Sequence, residues 1–187
     1  MKRISTYVFL GTLLFVYLFA CAGLAHAQNV KVAYNESREC VAKTYMLKYI
    51  LEEKVKVKVE ITKLSVEENW KGVAEGKYDA MLCAPLPEQQ ALYNKYKLDV
   101  VDFGPNWMDE KTTVHTIVRK GMQEKRPALA RFLNNFCLCG TKLDSVVALV
   151  KGNEIPKKMA LKWMKDHDDW VTNMLGLCQG FTINDWG

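Results

Sequence analysis

Histidine is scarce in this chain of 187 residues, which contains only three. Motifs of common catalytic sites are also missing: there is no H-E-x-x-H segment, no nucleophile elbow and no phosphate-cradling glycine run. Cys137 and Cys139 are separated by one residue, whereas a zinc knuckle has two residues between its cysteines. These absences argue against an enzyme, a metal site and a bound cofactor.

A strong charge of one sign is missing as well. The chain has 26 Lys and Arg residues against 21 Asp and Glu residues. The basic residues are spread along the sequence and form no continuous block. Its formal net charge is +5, and it falls to +3 if Lys2 and Arg3 are removed with an N-terminal segment. A mild, evenly spread charge does not favour a nucleic-acid partner.

No apolar run reaches the roughly 20 residues that span a bilayer comfortably. The N-terminal segment instead combines Lys2 and Arg3, a short apolar run over 7–20, and an A-x-A sequence at 25–27. This order is typical of a secretory signal peptide. We therefore expect residues 1–27 to be removed and a mature protein, residues 28–187, to act in the periplasm or outside the cell.

Two other fates of the N-terminal segment remain open. Residues 18–21 form a loose lipobox that would anchor the mature protein through Cys21, although Phe19 is bulky for such a motif. The apolar run could also remain as an uncleaved membrane anchor. Lipoprotein processing and an uncleaved anchor are the less favoured interpretations.

The mature chain alternates extended and helical patterns, which predicts one α/β domain with a mainly parallel sheet. Apolar and charged residues alternate at 55–61, so this strand is expected at a sheet edge with one face in water. The predicted strands cover 30–34, 55–61, 78–84, 98–103 and 112–119. The predicted helices follow Ser37, Ser65, Pro87, Pro127, Thr141 and Pro156, and the last is the longest.

Five cysteines remain in the mature chain, so at least one thiol is not paired within it. We expect no more than two disulfides, with Cys178 joined to Cys137 or Cys139. Two cysteines one residue apart would strain a bridge, so these two should not be joined. Cys40 and Cys83 fall on neighbouring elements, and either a bridge or two small buried thiols fits them.

Several segments resemble the substrate-binding proteins of glycine betaine/choline-type ABC transporters. The central ones are VAEGKYDA at 73–80, APLP at 84–87, YNKYK at 93–97 and VDFGPN at 101–106. Residues 115–121, 127–136 and 160–164 resemble the C-terminal part of the family. The resemblance implies a type II periplasmic-binding-protein-like fold, a small betaine-like ligand and an ABC transporter permease as partner.

The chain departs from that family in size. Its members form two lobes that close on the ligand, whereas here residues 104–106 lead almost directly into the return strand. The resemblance therefore implies one lobe, with a mostly parallel five-stranded sheet in the order 2-1-3-x-4. Strand x is the antiparallel return strand at 112–119, and helices follow it. A second copy of the chain could serve as the missing wall, as a homodimer.

The expected site lies at the carboxyl ends of the parallel strands, where open α/β sheets bind ligands. A trimethylammonium group is held by aromatic faces. In the family, tryptophans supply these faces, but the corresponding positions of two of them hold Ser37 and Pro85 in this chain. Trp107, Tyr34 and Asn35 remain as candidates at this edge. Packing beneath the C-terminal helices is the alternative for Trp107, and plain turn chemistry is the alternative for Tyr34 and Asn35.

Three other tryptophans, Trp70, Trp163 and Trp170, lie at helical spacing and are expected in the core. The sequence thus predicts an exported solute-binding protein of an ABC importer. An exported scaffold or interaction domain, which kept the fold and lost the ligand, is the alternative.

Overall fold

The computed structural model describes residues 29–108, 113–176 and 186. The N-terminal segment and Cys178 lie outside the described residues. The strands are β1 (Val30–Tyr34), β2 (Val59–Lys63), β3 (Ala80–Leu86), β4 (Val100–Met108) and β5 (Thr113–Arg119). The helices are α1 (Arg38–Ile50), α2 (Val66–Ala74), α3 (Gln90–Tyr96), α4 (Met122–Lys125), α5 (Pro127–Asn135), α6 (Gly140–Val147), α7 (Lys157–Asp166) and α8 (Asp168–Gly176).

The five strands form one sheet in the order β2-β1-β3-β5-β4. β1 is parallel to β2 and β3, while β5 is antiparallel to both β3 and β4. The predicted α/β class, the strand order and the antiparallel return strand are therefore confirmed. The wet edge strand is also confirmed, because β2 lies at the end of the sheet.

Helices cover both faces of the sheet, as a mainly parallel sheet requires. Val30 and Val32 of β1 point to a core formed with α1 and the C-terminal helices. Ala33 points to the opposite face and joins Trp70 of α2 in a second core. The expected core positions of Trp70 and Trp163 are confirmed, since both are buried, and Trp170 packs half-buried against the first core.

The second strand begins later than its alternating pattern suggested. Helix α1 continues into a π-helical turn, Leu51–Val55, whose cap residue Lys56 adopts a left-handed backbone with φ of 67°. Leu51 is fully buried in the core, so packing favours the extra helical turn over an early strand start. The strand predicted over 55–61 accordingly occupies Val59–Lys63.

The fourth strand runs farther than predicted. Residues 104–106 were expected to end it, but β4 continues to Met108 with register shifts on both sides of Pro105. Proline has no N–H to donate to the ladder, and Gly104 adopts a φ of 84°. The chain therefore bulges at this point and then resumes its pairing with β5.

Two helix boundaries also differ from the prediction. The helix expected from Pro87 begins at Gln90. The long last helix is divided at His167, whose φ is −126°. The His167 ring stacks on Trp163, four residues earlier, with centroids 4.1 Å apart, at the point where the backbone leaves the helical conformation.

Four cysteines in the described part of the chain are free thiols: Cys40, Cys83, Cys137 and Cys139. Cys40 and Cys83 are both free, which resolves the open choice at these two residues in favour of thiols. Cys137 and Cys139 are not joined, as predicted. The expected bridge from one of them to Cys178 falls on a residue outside the described part of the chain and stays a prediction. Burial raises the pKa of Cys137 to about 11.

Candidate ligand-binding rim

The parallel strands all end at one edge of the sheet, which we call the rim. Its strand-end residues are Tyr34 of β1, Lys63 of β2, Leu86 of β3 and Met108 of β4. Tyr34 and Lys63 are direct partners in the register of β1 with β2. The sheet therefore places the ends of strands distant in sequence side by side, which is where open α/β sheets bind ligands.

The predicted site residues fall into two groups along the rim. Tyr34, Asn35 and Ser37 lie at the end of β1, while Pro85 of β3 and Trp107 of β4 are both aligned with Val114 of β5. Three strand spacings separate β1 from β4, or about 14 Å at the usual spacing. Pro85 lies on β3, the neighbour of β1, so only Trp107 is far from the β1 group, and ligand contact of all five residues stays a prediction.

Asn35 and Ser37 have local structural roles. The Asn35 Oδ1 accepts a hydrogen bond from the Ser37 backbone N–H at 3.0 Å, and the Ser37 Oγ accepts one from the Cys40 N–H at 3.3 Å. These are an Asx turn and a helix N-cap. Turn chemistry is therefore observed for Asn35, and any contact of these two residues with ligand stays a prediction.

Replacing Ser37 by alanine is expected to lower the free energy of unfolding by about 1 kcal/mol, because α1 loses its N-cap. Urea denaturation followed by tryptophan fluorescence measures this. Ser37→Asp, which can still cap the helix, should retain most of the stability. Ser65→Ala is the matched control, since Ser65 caps α2 in a capping box with Glu68. A Ser37→Ala protein as stable as the unaltered chain would contradict the capping role.

Two concave regions open on the β1–β2 end of the rim, and we call them the rim cavities. The first has a volume of about 420 Å³ and an aromatic wall of Tyr34 and Tyr45, whose rings meet edge to face at 6.2 Å. Lys63, Lys151 and Glu154 add charge of both signs to its lining. Burial raises the pKa of Tyr45, so its ring remains a neutral phenol at physiological pH.

The second rim cavity has a volume of about 480 Å³ and lies on the other side of Lys63. Asn35 and Glu36 line it together with the N-terminal turn of α2. Among the described residues, none that line it is aromatic. The first rim cavity therefore offers the better surface for an organic cation.

A buried polar cluster lies below the rim, centred on Asn106 of β4. The Asn106 side-chain amide donates hydrogen bonds to the Leu82 carbonyl at 2.8 Å and to the Thr116 Oγ1 at 2.6 Å. Its Oδ1 accepts one from the Lys43 ammonium at 2.5 Å. Leu82 lies where the β3 register shifts, so the amide satisfies a carbonyl in an irregular part of the ladder.

Lys43 is a buried cation, with 2% of the residue exposed. Burial lowers its pKa, while the nearby thiols of Cys83 and Cys40 act in the opposite direction. Lys43 was not among the residues expected at the site, although Cys40, Lys43 and Leu47 follow the helical spacing of one face. A lysine among apolar positions at that spacing was the available signal.

Tyr45, Lys151 and Glu154 were also missed as possible ligand contacts. Tyr45 belongs to the apolar face of α1, and its helical spacing fits a position in the core as well as a position beside the rim. Lys151 and Glu154 lie more than 100 residues from Tyr45 and pair in an isolated β-bridge. No local sequence signal places that loop beside β1.

The described part of the chain contains no cluster of three or more His, Cys, Asp or Glu residues that could hold a metal ion. None of its helices is long and apolar enough to cross a membrane. A mainly parallel α/β layer with an antiparallel return strand and a concave rim is the architecture of the periplasmic-binding-protein-like fold class.

Comparison with known proteins supports this class and identifies the family. The family model of the substrate-binding domain of the ABC-type glycine betaine transport system matches residues 28–111 and 88–166. These matches cover well over half of the chain, and the chain belongs to this family. The family consists of transport binding proteins rather than enzymes.

A curated relative is the glycine betaine/carnitine transport binding protein of Listeria monocytogenes. It is 31% identical over 80 residues, which are 43% of this chain and 27% of the relative. The match thus spans about a quarter of the length of that relative.

Solved structures with the same fold have much lower sequence identity. Lactococcal OpuAC in complex with glycine betaine superposes with a TM-score of 0.70 at 17% identity, over 79% of this chain and 99% of that chain. A choline-binding protein of an ABC transporter in complex with choline gives a TM-score of 0.74 at 14% identity, over 88% and 96%. The corresponding values for the ProX protein of Borrelia burgdorferi are 0.67 and 13%, over 81% and 100%.

Proposed function

We propose that this chain is an exported solute-binding protein of an ABC importer, and that it binds a small quaternary-ammonium or related compatible solute such as glycine betaine. The observation that carries the proposal is the first rim cavity, which combines an aromatic wall with charges of both signs in a member of a betaine-binding family. An ABC transporter permease is the partner that would receive the solute.

The chemistry of glycine betaine matches the lining of this cavity. Its trimethylammonium group has no hydrogen to donate, so aromatic faces and nearby negative charge bind it best. Tyr34 and Tyr45 supply the faces, and Glu154 supplies the charge. The solute's carboxylate needs a cation in reach, and Lys63 and Lys151 line the same cavity.

Export follows from the same reasoning. A binding protein of an importer meets its solute outside the cytoplasm, so residues 1–27 act as the signal peptide and 28–187 as the binding domain. Anchoring through Cys21 would keep the domain near its permease and is the alternative form of export. N-terminal sequencing of the secreted protein, with mass spectrometry for a lipid on Cys21, distinguishes the two.

A second function is favoured by a specific observation. The family's tryptophan positions hold Ser37 and Pro85 here, and Ser37 is occupied as a helix cap. A domain that lost these two aromatic walls could act as an exported scaffold without a ligand. Calorimetry with glycine betaine, choline, carnitine and ectoine discriminates between the two functions, because the scaffold should bind none of them.

We expect the monomer to bind glycine betaine no better than the millimolar range. One lobe supplies one wall, whereas a small-molecule site usually covers roughly 70–90% of its ligand. An exposed cation–π contact contributes about 0.5–1 kcal/mol and a desolvated one about 2 kcal/mol, and each 1.4 kcal/mol or so is tenfold in affinity. Isothermal titration on a monomer verified by sedimentation measures this. Micromolar binding by the monomer would contradict the expectation that a single lobe, which contacts the ligand from one side, binds it weakly.

The aromatic residue that carries this binding can be identified by paired substitutions. Tyr45→Leu is expected to abolish binding in the first rim cavity, and Tyr45→Phe, which retains an aromatic face, should preserve much of it. Trp107→Ala and Trp107→Phe make the same comparison at the β4 end of the rim, where the sequence alone placed the best aromatic contact. Loss in Trp107→Ala with no change in Tyr45→Leu would move the site to that end. A homodimer that supplies the second wall would bind more tightly as protein concentration rises.

A further inference from the structure

A third cavity lies at the end of the sheet opposite the rim, and we call it the basic cavity. It has a volume of about 480 Å³ and lies where β1 and β3 begin and the antiparallel β5 ends. Its charged lining consists of Lys31, Lys77, Asp79, Arg119, Lys125 and Arg126. Among the described residues of this lining, five basic side chains stand against one carboxylate, so their summed formal charge is strongly positive.

The Asp79 carboxylate holds the guanidinium groups of Arg119 and Arg126 in place. Asp79 Oδ1 accepts a hydrogen bond from Arg119 Nε at 2.7 Å, and its Oδ2 accepts one from Arg126 at 2.6 Å. The same Oδ2 accepts the Lys31 backbone N–H at 2.8 Å. Asp79 is thus fully engaged, and Arg126 also donates hydrogen bonds from its Nε and Nη2 to the Trp186 carbonyl.

The lysines of the basic cavity add charge that Asp79 does not offset. Among the described residues, no carboxylate forms an ion pair with the ammonium group of Lys31, Lys77 or Lys125. All three residues are exposed, so their side chains can reach a ligand without unfolding the domain. Within the same part of the chain, the Arg119 guanidinium donates a hydrogen bond only from its Nε, to Asp79.

Concave walls focus the field of like charges and raise the local concentration of a counter-ion. A guanidinium with further N–H donors binds phosphate oxygens in a defined geometry, and lysines add point charges around it. A phosphate monoester, which carries up to two charges, would offset more of this charge than a single carboxylate, and the phosphodiester of a lipid headgroup carries one charge. The volume exceeds that of one phosphate ion and leaves room for the group that bears it.

We propose that the basic cavity is a phosphate-binding site, which takes either a soluble phosphorylated molecule or the phosphate of an anionic lipid headgroup. The site is independent of the rim, because it lies at the other end of every strand. Asn29, which also lines the cavity, directly follows the N-terminal segment. An anchored form of the protein would therefore hold this end of the domain towards the membrane.

The first arm of the test uses soluble probes. Inorganic phosphate and glycerol 3-phosphate are titrated into the ¹⁵N-labelled full mature chain, and the amide signals of Lys31, Gly76 and Lys77 are followed. We expect saturable shifts at these amides, and Lys77→Gln with Lys125→Gln should weaken binding about tenfold or more. The matched control is Lys158→Gln with Lys165→Gln, which removes the same charge from exposed positions on α7.

The second arm tests the lipid source. Vesicles of phosphatidylcholine with and without phosphatidylglycerol are sedimented with each variant at low and at high salt. Binding that requires phosphatidylglycerol, and is lost in the Lys77/Lys125 variant alone, assigns the site to a headgroup. Saturable soluble binding without vesicle binding assigns it to a phosphorylated solute.

Two outcomes would overturn the proposal. One is the absence of both saturable shifts and vesicle binding in the unaltered chain. The other is equal weakening in the Lys158/Lys165 control, which would show that general charge alone attracts the anion. Failure of glycine betaine to bind at the rim changes neither arm of this test.

Discussion

Replacing Asp79 by alanine is expected to reduce the free energy of unfolding by about 3–5 kcal/mol. The carboxylate is buried and binds Arg119 and Arg126, of which Arg126 is 2% exposed. Removing it leaves buried positive charge without its main compensation, and the Lys31 N–H loses its acceptor. Urea denaturation followed by tryptophan fluorescence measures the loss.

The matched control is Asp168→Ala. Asp168 pairs with Lys54 at 2.7 Å, almost the same distance, but both side chains are exposed. Solvent screens such a pair, so the control should change stability by less than about 1 kcal/mol. Equal small effects in the two variants would show that the Asp79 cluster contributes little to folding.

Asn106→Ala is expected to cost about 3 kcal/mol of unfolding free energy or more. In the variant, the buried Lys43 ammonium loses one hydrogen-bond acceptor. The Leu82 carbonyl and the Thr116 hydroxyl each lose the hydrogen bond that the Asn106 amide donates. Each buried polar group left unsatisfied costs about 1–3 kcal/mol. The measurement is again urea denaturation.

A double-mutant cycle separates the charge from the packing. Lys43→Met removes the buried ammonium and keeps a side chain of similar length, so Asn106→Ala should be less harmful in that background. Strict additivity of the two substitutions would show that Lys43 and Asn106 do not interact energetically.

The pH dependence of stability gives a further readout on Lys43. Because burial lowers its pKa, the folded chain loses this proton at lower pH than the unfolded chain, whose lysines titrate near 10.4 or so. Between the two pKa values the unfolded state binds more protons, so the Lys43 contribution makes stability rise with pH. The stability of the unaltered chain relative to Lys43→Met should therefore increase from neutral pH towards about 10. A flat difference would contradict the lowered pKa.

Local patterns predicted most of the elements and their order. The alternation near 55–61 indicated an edge strand, and β2 is that edge, although the strand begins at Val59. The helical spacing of Trp70 and Trp163 placed both in the core. The antiparallel return strand came from the family resemblance, since the pattern of 112–119 alone does not give a direction.

Boundaries were predicted less well, because they depend on contacts that the local pattern does not contain. The glycine and proline at 104–105 are ordinary stop signals, yet β5 pairs with β4 on both sides of them. His167 has no helix-breaking chemistry of its own, and its helical spacing from Trp163 did not indicate that the last helix divides where the two rings stack.

The sequence by itself determined the α/β alternation, the two apolar faces of the sheet and the segments that carry the family resemblance. Each depends on a period of 2 or 3.6 residues or on short motifs, which are local properties of the chain. The tertiary structure decided which side chains meet. Lys43 contacts Asn106 across 63 residues, and Asp79 contacts Arg126 across 47. Such contacts follow from strand register and helix packing, where a shift of one residue would turn each side chain to the opposite face.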